Sequence, residues 1–458
     1  MMNAGMFGAD LLKGVQQVHF IGVGGSGMYP LVQILASRGY RITGSDVNEG
    51  SIIESERALG VQVYMGHRAE NVDGTNLVVY SAAIHPDNVE FQAARAHGIP
   101  CVERSVLLGY VSRMYQKSIC VSGTHGKTTT TGMITTLLEL AGRDPAAVIG
   151  GKLPLIGGYG KAGNGSSIVV EACEFSETFM HLSPSIAIIL NIDNDHLDYY
   201  KTMGNLKMAF KKFALLCTHT AIANADDANT IQVMNTLDRD VITFAIQKHA
   251  DYRATNIQEY KPGFYEFDVL EFGEFFVHLQ LGAPGYHNIY NALAMVSCVR
   301  LMGLEPRDAV RAAKNFQGTG RRFEIKGEVN GAVVADDYAH HPTELRATLE
   351  TAKKMGYKRV WAVHQPFTYS RTRNLLDDFA QVLQIADRVV LTPIMGSREV
   401  DDGSVRSEDL AAKIPGCVVV ESLDAAAEYI KANAEEGDLV ITLGCGDVYK
   451  ASDKMIAP

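Results

Sequence analysis

Long apolar runs are missing from this sequence: stretches such as 185–190 are strand-sized and fall far short of the roughly 18 residues that a membrane-crossing helix needs. Membrane insertion is not expected. Paired cysteines are missing too. The seven present (Cys101, Cys120, Cys173, Cys217, Cys298, Cys417 and Cys445) form no C-x-x-C, which points to reduced thiols used in packing. Nor is there an excess of positive charge. With 42 Lys+Arg against 52 Asp+Glu the formal charge is -10, so nucleic acid is not an expected partner and an anionic ligand must be met by a local pocket. The N-terminal segment, with only Lys13 ahead of an interrupted apolar stretch, lacks the charged start, apolar run and small-residue cleavage site of a secretory signal. A cytoplasmic location is the expectation.

What is present is a chain of 458 residues, 47% of them hydrophobic, enough for a large core divided among about three domains of roughly 100–200 residues. Short β-rich runs alternate with helical stretches, which predicts an α/β fold of parallel sheets with crossover helices. Three strand-then-glycine openings, at 18–27, 119–127 and 333–341, predict three sheets. Boundaries fall near 103–117 and 318–323, giving domains 1–115, 116–322 and 323–458. Between 252 and 281 apolar and polar residues alternate, as in antiparallel strands added to the middle domain.

The first opening runs from a buried strand at 18–21 into Gly22, Gly24 and Gly27, a G-x-G-x-x-G ahead of a helical run at 30–37, and a second strand ends in Asp46. Such glycines let backbone approach a diphosphate at a helix N-terminus, and the acid suits a ribose hydroxyl. Glycines serving only a tight turn are the plainer alternative. Ser81 and Ala82, after a further strand, are placed to form the facing wall of the crevice.

The second opening reads Gly123-Thr124-His125-Gly126-Lys127-Thr128-Thr129. Two residues, not four, separate its glycines, yet the Gly-Lys-Thr ending of a phosphate loop is intact. Backbone N–H groups there point at phosphate oxygens, Lys127 bridges terminal phosphates, and the Thr128 hydroxyl sits where a Mg2+ ligand belongs. Strand ends at Glu171 and just before His196 converge on this loop in a parallel sheet and are candidate metal ligands. Asp193, Asp195, Asp198, Glu174 and Glu177 read equally well as solvated charges.

In order along the chain, GTHGKTTTT at 123–131, VVEACE at 169–174, NIDNDHLD at 191–198, HNIYNALA at 287–294, GTGRRFE at 318–324 and DDYAHHPTE at 336–344 resemble the Mur ligases. The resemblance implies an N-terminal Rossmann-like UDP-sugar domain (1–115), a central P-loop ATPase-type sheet with β additions (116–322), and a C-terminal Rossmann-like amino-acid domain (323–458). It assigns Gly22, Gly24, Gly25, Ser26 and Gly27, with Asp46, Ser81 and Ala82, to the UDP-sugar. It assigns Gly123 to Thr129 to the ATP phosphates, Thr128 and Glu171 to one Mg2+, and His196 to a second. Asn288 and Asn291, three apart on one helix face, match adenine-reading positions, and Arg322 and Asp337 match groups around the nucleotide. Tyr338 and Arg371 fall to the substrate side, and Lys127, His196, His341 and Arg371 are the expected catalytic groups. The adjacent histidines His340 and His341 also read as caps of the following helix. Gln365-Pro366 is followed by Phe367 and Thr368, where the family usually has histidine and often arginine. Phe210 stands where many Mur ligases carry a carbamoylated lysine, so that modification is not expected.

The implied reaction is ATP-dependent amide formation between L-alanine and the lactyl carboxylate of UDP-N-acetylmuramate, in peptidoglycan precursor synthesis. His196, His341 or a water is the proton acceptor for the amine. Other readings are a sister ligase adding another amino acid or peptide, a non-catalytic nucleotide-binding regulator, and an NAD-linked oxidoreductase using Gly22, Gly24, Gly27 and Asp46. The oligomeric state is not fixed by the sequence.

Overall fold

The structure is a computed structural model that describes residues 11–397 and 399–457. Three sheets carry the fold. The first has five strands, β1 (Gln17–Ile21), β2 (Arg41–Asp46), β3 (Gln62–Met65), β4 (Leu77–Tyr80) and β5 (Cys101–Glu103), in the order β3-β2-β1-β4-β5. All pairs are parallel. The strand order reverses between β1 and β4, so a crevice opens at their carboxyl ends, where a doubly wound sheet binds its ligand.

The second sheet contains β6 (Lys117–Ser122), β7 (Ala146–Leu153), β8 (Gly158–Lys161), β9 (Ser167–Glu171), β10 (Ile186–Ile189), β11 (Thr220–Asn224), β12 (Val241–Ala245), β13 (Tyr252–Lys261), β14 (Phe264–Glu271) and β15 (Glu274–Gln280). Their order is β15-β14-β13-β12-β11-β10-β6-β9-β7-β8. Parallel pairing sets Val121 of β6 against Glu171 of β9, and Ser122 against Ile189 of β10. Three strand ends that lie far apart in sequence therefore meet at one edge. Two-residue connections, Pro262-Gly263 and Phe272-Gly273, join β13, β14 and β15; neighbours joined so tightly are antiparallel, as the alternation at 252–281 predicts.

The third sheet is β16 (Glu324–Val329), β17 (Ala332–Asp337), β18 (Val360–His364), β19 (Arg388–Leu391), β20 (Val418–Val419) and β21 (Leu439–Leu443), ordered β16-β17-β21-β18-β19-β20. Only β16 runs antiparallel, against β17. The three-sheet α/β class expected from the sequence is the one observed. By compactness the described residues form two units, one drawn from 1–253, 270–276 and 291–312, the other from 254–269, 277–290 and 313–458.

The helix Lys127–Leu140 buries every residue from Thr128 to Leu138. Its threonines are poor helix formers on propensity, but three of them satisfy their hydroxyls inside the helix. Thr131, Thr135 and Thr136 donate to the carbonyls of Lys127, Thr131 and Gly132, each at 2.8 Å, which removes the cost of burying a hydroxyl. No helix among the described residues is long and apolar enough to cross a membrane.

Candidate active site

At the first glycine loop, Gly22 has φ +80 and its amide donates to Ser45 O at 2.8 Å. A Cβ on Gly22 would lie 3.6 Å from Ser81 Oγ, so the loop and the strand end after β4 face each other as the sequence implies. Asp46 has a local task. Its carboxylate accepts the amides of Gly24 (3.0 Å), Val47 (2.8 Å) and Asn48 (3.0 Å), tying the loop to the turn after β2. The Arg104 guanidinium lies over Gly27, within 3.3 Å of where a Cβ would be, a cation that sequence reasoning did not single out.

Behind this crevice Glu90 is fully buried and joins four segments. Its carboxylate accepts from Ser45 Oγ (2.5 Å) and Asn71 Nδ2, meets His67 Nδ1 at 3.0 Å, and lies 3.7 Å from His19 Nε2. Burial alone would raise its pKa, but His19, Ser45 and Asn71 outweigh burial and hold the carboxyl at about 2 against an ordinary 4.5. A depressed carboxyl stabilises the fold above its unfolded pKa, and that contribution is lost as pH falls from 4.5 toward 2. Glu90→Gln is therefore expected to cost about 2 kcal/mol at neutral pH, with the gap closing in acid. Urea midpoints measured from pH 7 to pH 3 check this; a gap independent of pH contradicts it.

The second glycine loop folds tightly. Gly126 has φ +85 and a Cβ there would sit 2.6 Å from Asn291 Oδ1, so only glycine fits. Asn291 also accepts from Thr130 Oγ1 at 3.1 Å, which fixes one of the two predicted adenine-reading residues against the loop. The other, Asn288, donates to Pro284 O at 2.6 Å. His125 is held from two sides: its amide donates to Asn191 Oδ1 (2.8 Å) and its Nε2 meets Asp193 Oδ2 at 3.1 Å. Asp193 is thus engaged with the loop, and Asp195 is buried; neither is the solvated charge allowed above. The side chain of Asp198 lies outside the described residues.

Thr128 Oγ1 donates to Glu171 Oε1 at 3.0 Å, and Glu171 Oε2 accepts the amide of Gly150 at 2.6 Å. The two side chains expected to share one Mg2+ are in contact and already oriented. Glu174, read as a surface charge from the sequence, is instead buried and paired with Lys127 at 2.9 Å. Burial would lower the Lys127 pKa, but Glu174 overrides it and keeps the ammonium above the ordinary lysine range, so Lys127 stays charged. His196 Nε2 lies 3.9 Å from Glu174 Oε1 and 3.6 Å from Asp195 Oδ2, with the Phe175 ring 4.9 Å away. Ser176, Glu177 and His196 hold φ near +55, a cost that non-glycine residues bear where surrounding structure imposes it, often at functional sites. Cys173 corrects the packing expectation for the thiols, for it is exposed, between Glu171 and Glu174. Phe210 is buried edge-on to Phe179.

In the second compact unit the carboxyl ends of β17 and β21 gather the other candidates. Asp337 is buried and accepts the amides of Phe323 and Ala339, both at 2.8 Å. Burial pushes its carboxyl up to about 6 against the pull of Arg322. Arg322 and Arg321 lie 5.1 and 4.9 Å from the Tyr338 ring centre. Arg321, missed by the sequence reading, donates to Asp336 Oδ2 (2.9 Å), Gly446 O (3.0 Å) and Gly444 O (2.7 Å) and has Tyr449 on its other side at 4.7 Å. His341 caps the helix Pro342–Lys354, its Nδ1 accepting the Thr343 amide at 3.3 Å, which is the structural alternative weighed for it. Arg371 is half-buried in the short helix Tyr369–Asn374, close enough to Cys445 to oppose the rise that burial imposes on that thiol.

Three family descriptions match in tandem: Mur ligase family, catalytic domain (17–116), Mur ligase middle domain (121–299), and Mur ligase, glutamate ligase domain (321–446). The chain is 44% identical to the UDP-N-acetylmuramate--L-alanine ligase of Caldanaerobacter subterraneus subsp. tengcongensis over 451 residues, covering 97% of this chain and 98% of the relative. The chain is a Mur ligase. A second relative of the same description, from Alkaliphilus metalliredigens, is 42% identical across 97% of each chain. This Mur ligase also matches the crystal structure of UDP-N-acetylmuramate-alanine ligase MurC from Thermotoga maritima, with TM-score 0.82, 29% identity, and 96% and 98% of the two chains covered. The fold of a Psychrobacter arcticus murein peptide ligase is similar as well (TM-score 0.74, 24% identity).

Proposed function

We propose that this Mur ligase joins L-alanine to the lactyl carboxylate of UDP-N-acetylmuramate at the expense of ATP, in the cytoplasm, as a step of peptidoglycan precursor synthesis. The observation that carries this reading is the likeness to alanine-adding relatives along 97% of the chain. In it, residues 1–115 hold the UDP-sugar, 116–322 hold ATP and 323–458 bring the amino acid. A carboxylate at neutral pH is a poor electrophile, so its oxygen first attacks the γ-phosphorus while the bond to ADP breaks. The alanine nitrogen then attacks the acyl carbon, loses a proton and expels phosphate.

Two anions must meet in the first step, and the charged Lys127 with the loop amides from Gly123 to Thr129 offsets their repulsion. Thr128 and Glu171 offer hard oxygen donors already in contact, a set that suits Mg2+, and His196 is the residue assigned to a second ion. Mg2+ there would neutralise phosphate charge. Asn288, Asn291, Arg322 and Asp337 take the nucleotide, and Tyr338 and Arg371 the substrate, with the planar Arg371 fork suited to a carboxylate. His341 spends Nδ1 on its cap, which favours His196 or a water as proton acceptor.

The test is ADP release with UDP-N-acetylmuramate and a panel of amino acids. Release that requires both the sugar and alanine is expected. Release with a peptide and not alanine would move the chain to a sister ligase, and a nicotinamide absorbance change without ADP would revive the oxidoreductase reading.

A further inference from the structure

An ammonium has three N–H donors, and those of Lys127 are all in use. Nζ lies 2.5 Å from Gly123 O, 3.0 Å from Thr124 O, and 3.0 and 2.9 Å from the two carboxylate oxygens of Glu174. Contact with a phosphate oxygen needs one acceptor to yield. The two carbonyls belong to the loop itself, whose Thr124 amide is tied to Asn191 O and whose Thr124 hydroxyl takes the amide of Asp193. They move only if the loop does. Glu174 is a side chain 47 positions away and is the acceptor that can let go.

We infer that Glu174 is a positioning residue that latches Lys127 within the phosphate loop and competes with the nucleotide's terminal phosphates for its ammonium. The inference rests on the nucleotide reading of the loop and adds a regulation of that site. Parting a charge-assisted contact in a setting where Glu174 is 2% exposed and Lys127 14% exposed is costly. That cost is drawn from nucleotide binding, so ground-state affinity is lowered. Release also leaves the buried carboxylate with His196, 3.9 Å away, as its other basic neighbour. Loading of the loop is thereby coupled to two segments, the one at the end of β9 that carries Glu171 and Glu174 and the one after β10 that carries His196.

Two substitutions separate this latch from its rivals. Glu174→Gln keeps size and removes charge; Glu174→Asp keeps charge and withdraws the carboxylate by one methylene, breaking contact with Lys127. Affinity for a non-hydrolysable ATP analogue, measured by titration calorimetry on the full chain, is expected to tighten about tenfold in both, the scale of one charge-assisted hydrogen bond. Tightening in the glutamine variant alone means that Glu174 acts only by its field, which overturns the latch, and weakening in both means that Glu174 merely supports the loop, which also overturns it. UDP-N-acetylmuramate binding and the melting temperature report on folding. If the glutamine variant does not fold, the aspartate variant decides: tighter binding supports the latch, unchanged or weaker binding overturns it. Failure of the parent chain to bind the analogue overturns the nucleotide reading and this inference together, whereas a binding parent with no tighter variant overturns the inference alone.

Discussion

Lys127→Ala is expected to lower ADP formation by about three orders of magnitude or more while leaving UDP-N-acetylmuramate binding within about twofold of the parent, as befits sites that do not share residues. The asymmetry follows from placement. Lys127 opens the helix after β6, in the second sheet, whereas the crevice of Gly22, Gly24, Gly27, Asp46 and Ser81 is built at the ends of β1, β2 and β4 in the first. Inside its own site Lys127 is the cation that meets Glu174, and truncating it also leaves that buried carboxylate without its ammonium, a loss of about 3 kcal/mol in stability. Calorimetric titration with the UDP-sugar distinguishes the two effects: retained sugar binding with lost ADP formation assigns Lys127 to phosphoryl transfer. Lost sugar binding contradicts that division of labour.

Local patterns were legible in the sequence, and partnerships were not. Each strand-glycine-helix opening is contiguous, so the loops after β1 and β6 and the approach of β17 could be read in order, and the spacing of apolar residues gave the α/β class. The convergence of Glu171 and Thr128 was also readable, because parallel neighbours bring their carboxyl ends together. Glu174 was not readable, for its type and position suit a solvated acid and its burial depends on a lysine 47 residues earlier. Arg321 has the same character: its neighbours Tyr338, Gly444, Gly446 and Tyr449 are separated from it by up to 128 positions, and a sandwiched guanidinium leaves no periodic trace. The turn amides that Asp46 accepts were not readable either. An acid at the end of β2 suits a ribose hydroxyl, but a carboxylate beside three unsatisfied turn amides is just as well placed to accept them. His341 followed the plainer of its two readings, since a side-chain acceptor just ahead of a proline-led helix satisfies an amide that would otherwise have no partner.

Asp438→Ala is expected to cost about 3 kcal/mol in stability. Asp438 is fully buried just ahead of β21 and accepts from Arg359 Nη2 (2.6 Å) and Nε (2.9 Å), from Trp361 Nε1 (3.0 Å) and from the Glu435 amide (3.1 Å). Alanine leaves a guanidinium, an indole N–H and a backbone amide without their common acceptor, and each orphaned donor is costly when buried. Arg359 is about a quarter exposed and keeps Glu435 at 3.2 Å, which holds the loss to the lower part of the range for broken buried pairs. Glu435 itself is more than half exposed, so Glu435→Ala should cost less than about 1 kcal/mol and serves as the control. Trp361 is the sole tryptophan in the chain, and its indole fluorescence in a urea titration reports on this cluster directly. Burial would raise the Asp438 carboxyl, but Arg359, the Glu435 amide and Trp361 prevail and hold it below its ordinary 3.8. A depressed carboxyl gives its stabilisation above the unfolded pKa and loses it as pH falls further, so the parent and Asp438→Ala midpoints should converge below about pH 4. A difference under 1 kcal/mol at pH 7, or one that persists unchanged in acid, would show that the arginine and indole find other partners and that this carboxylate does not anchor the sheet.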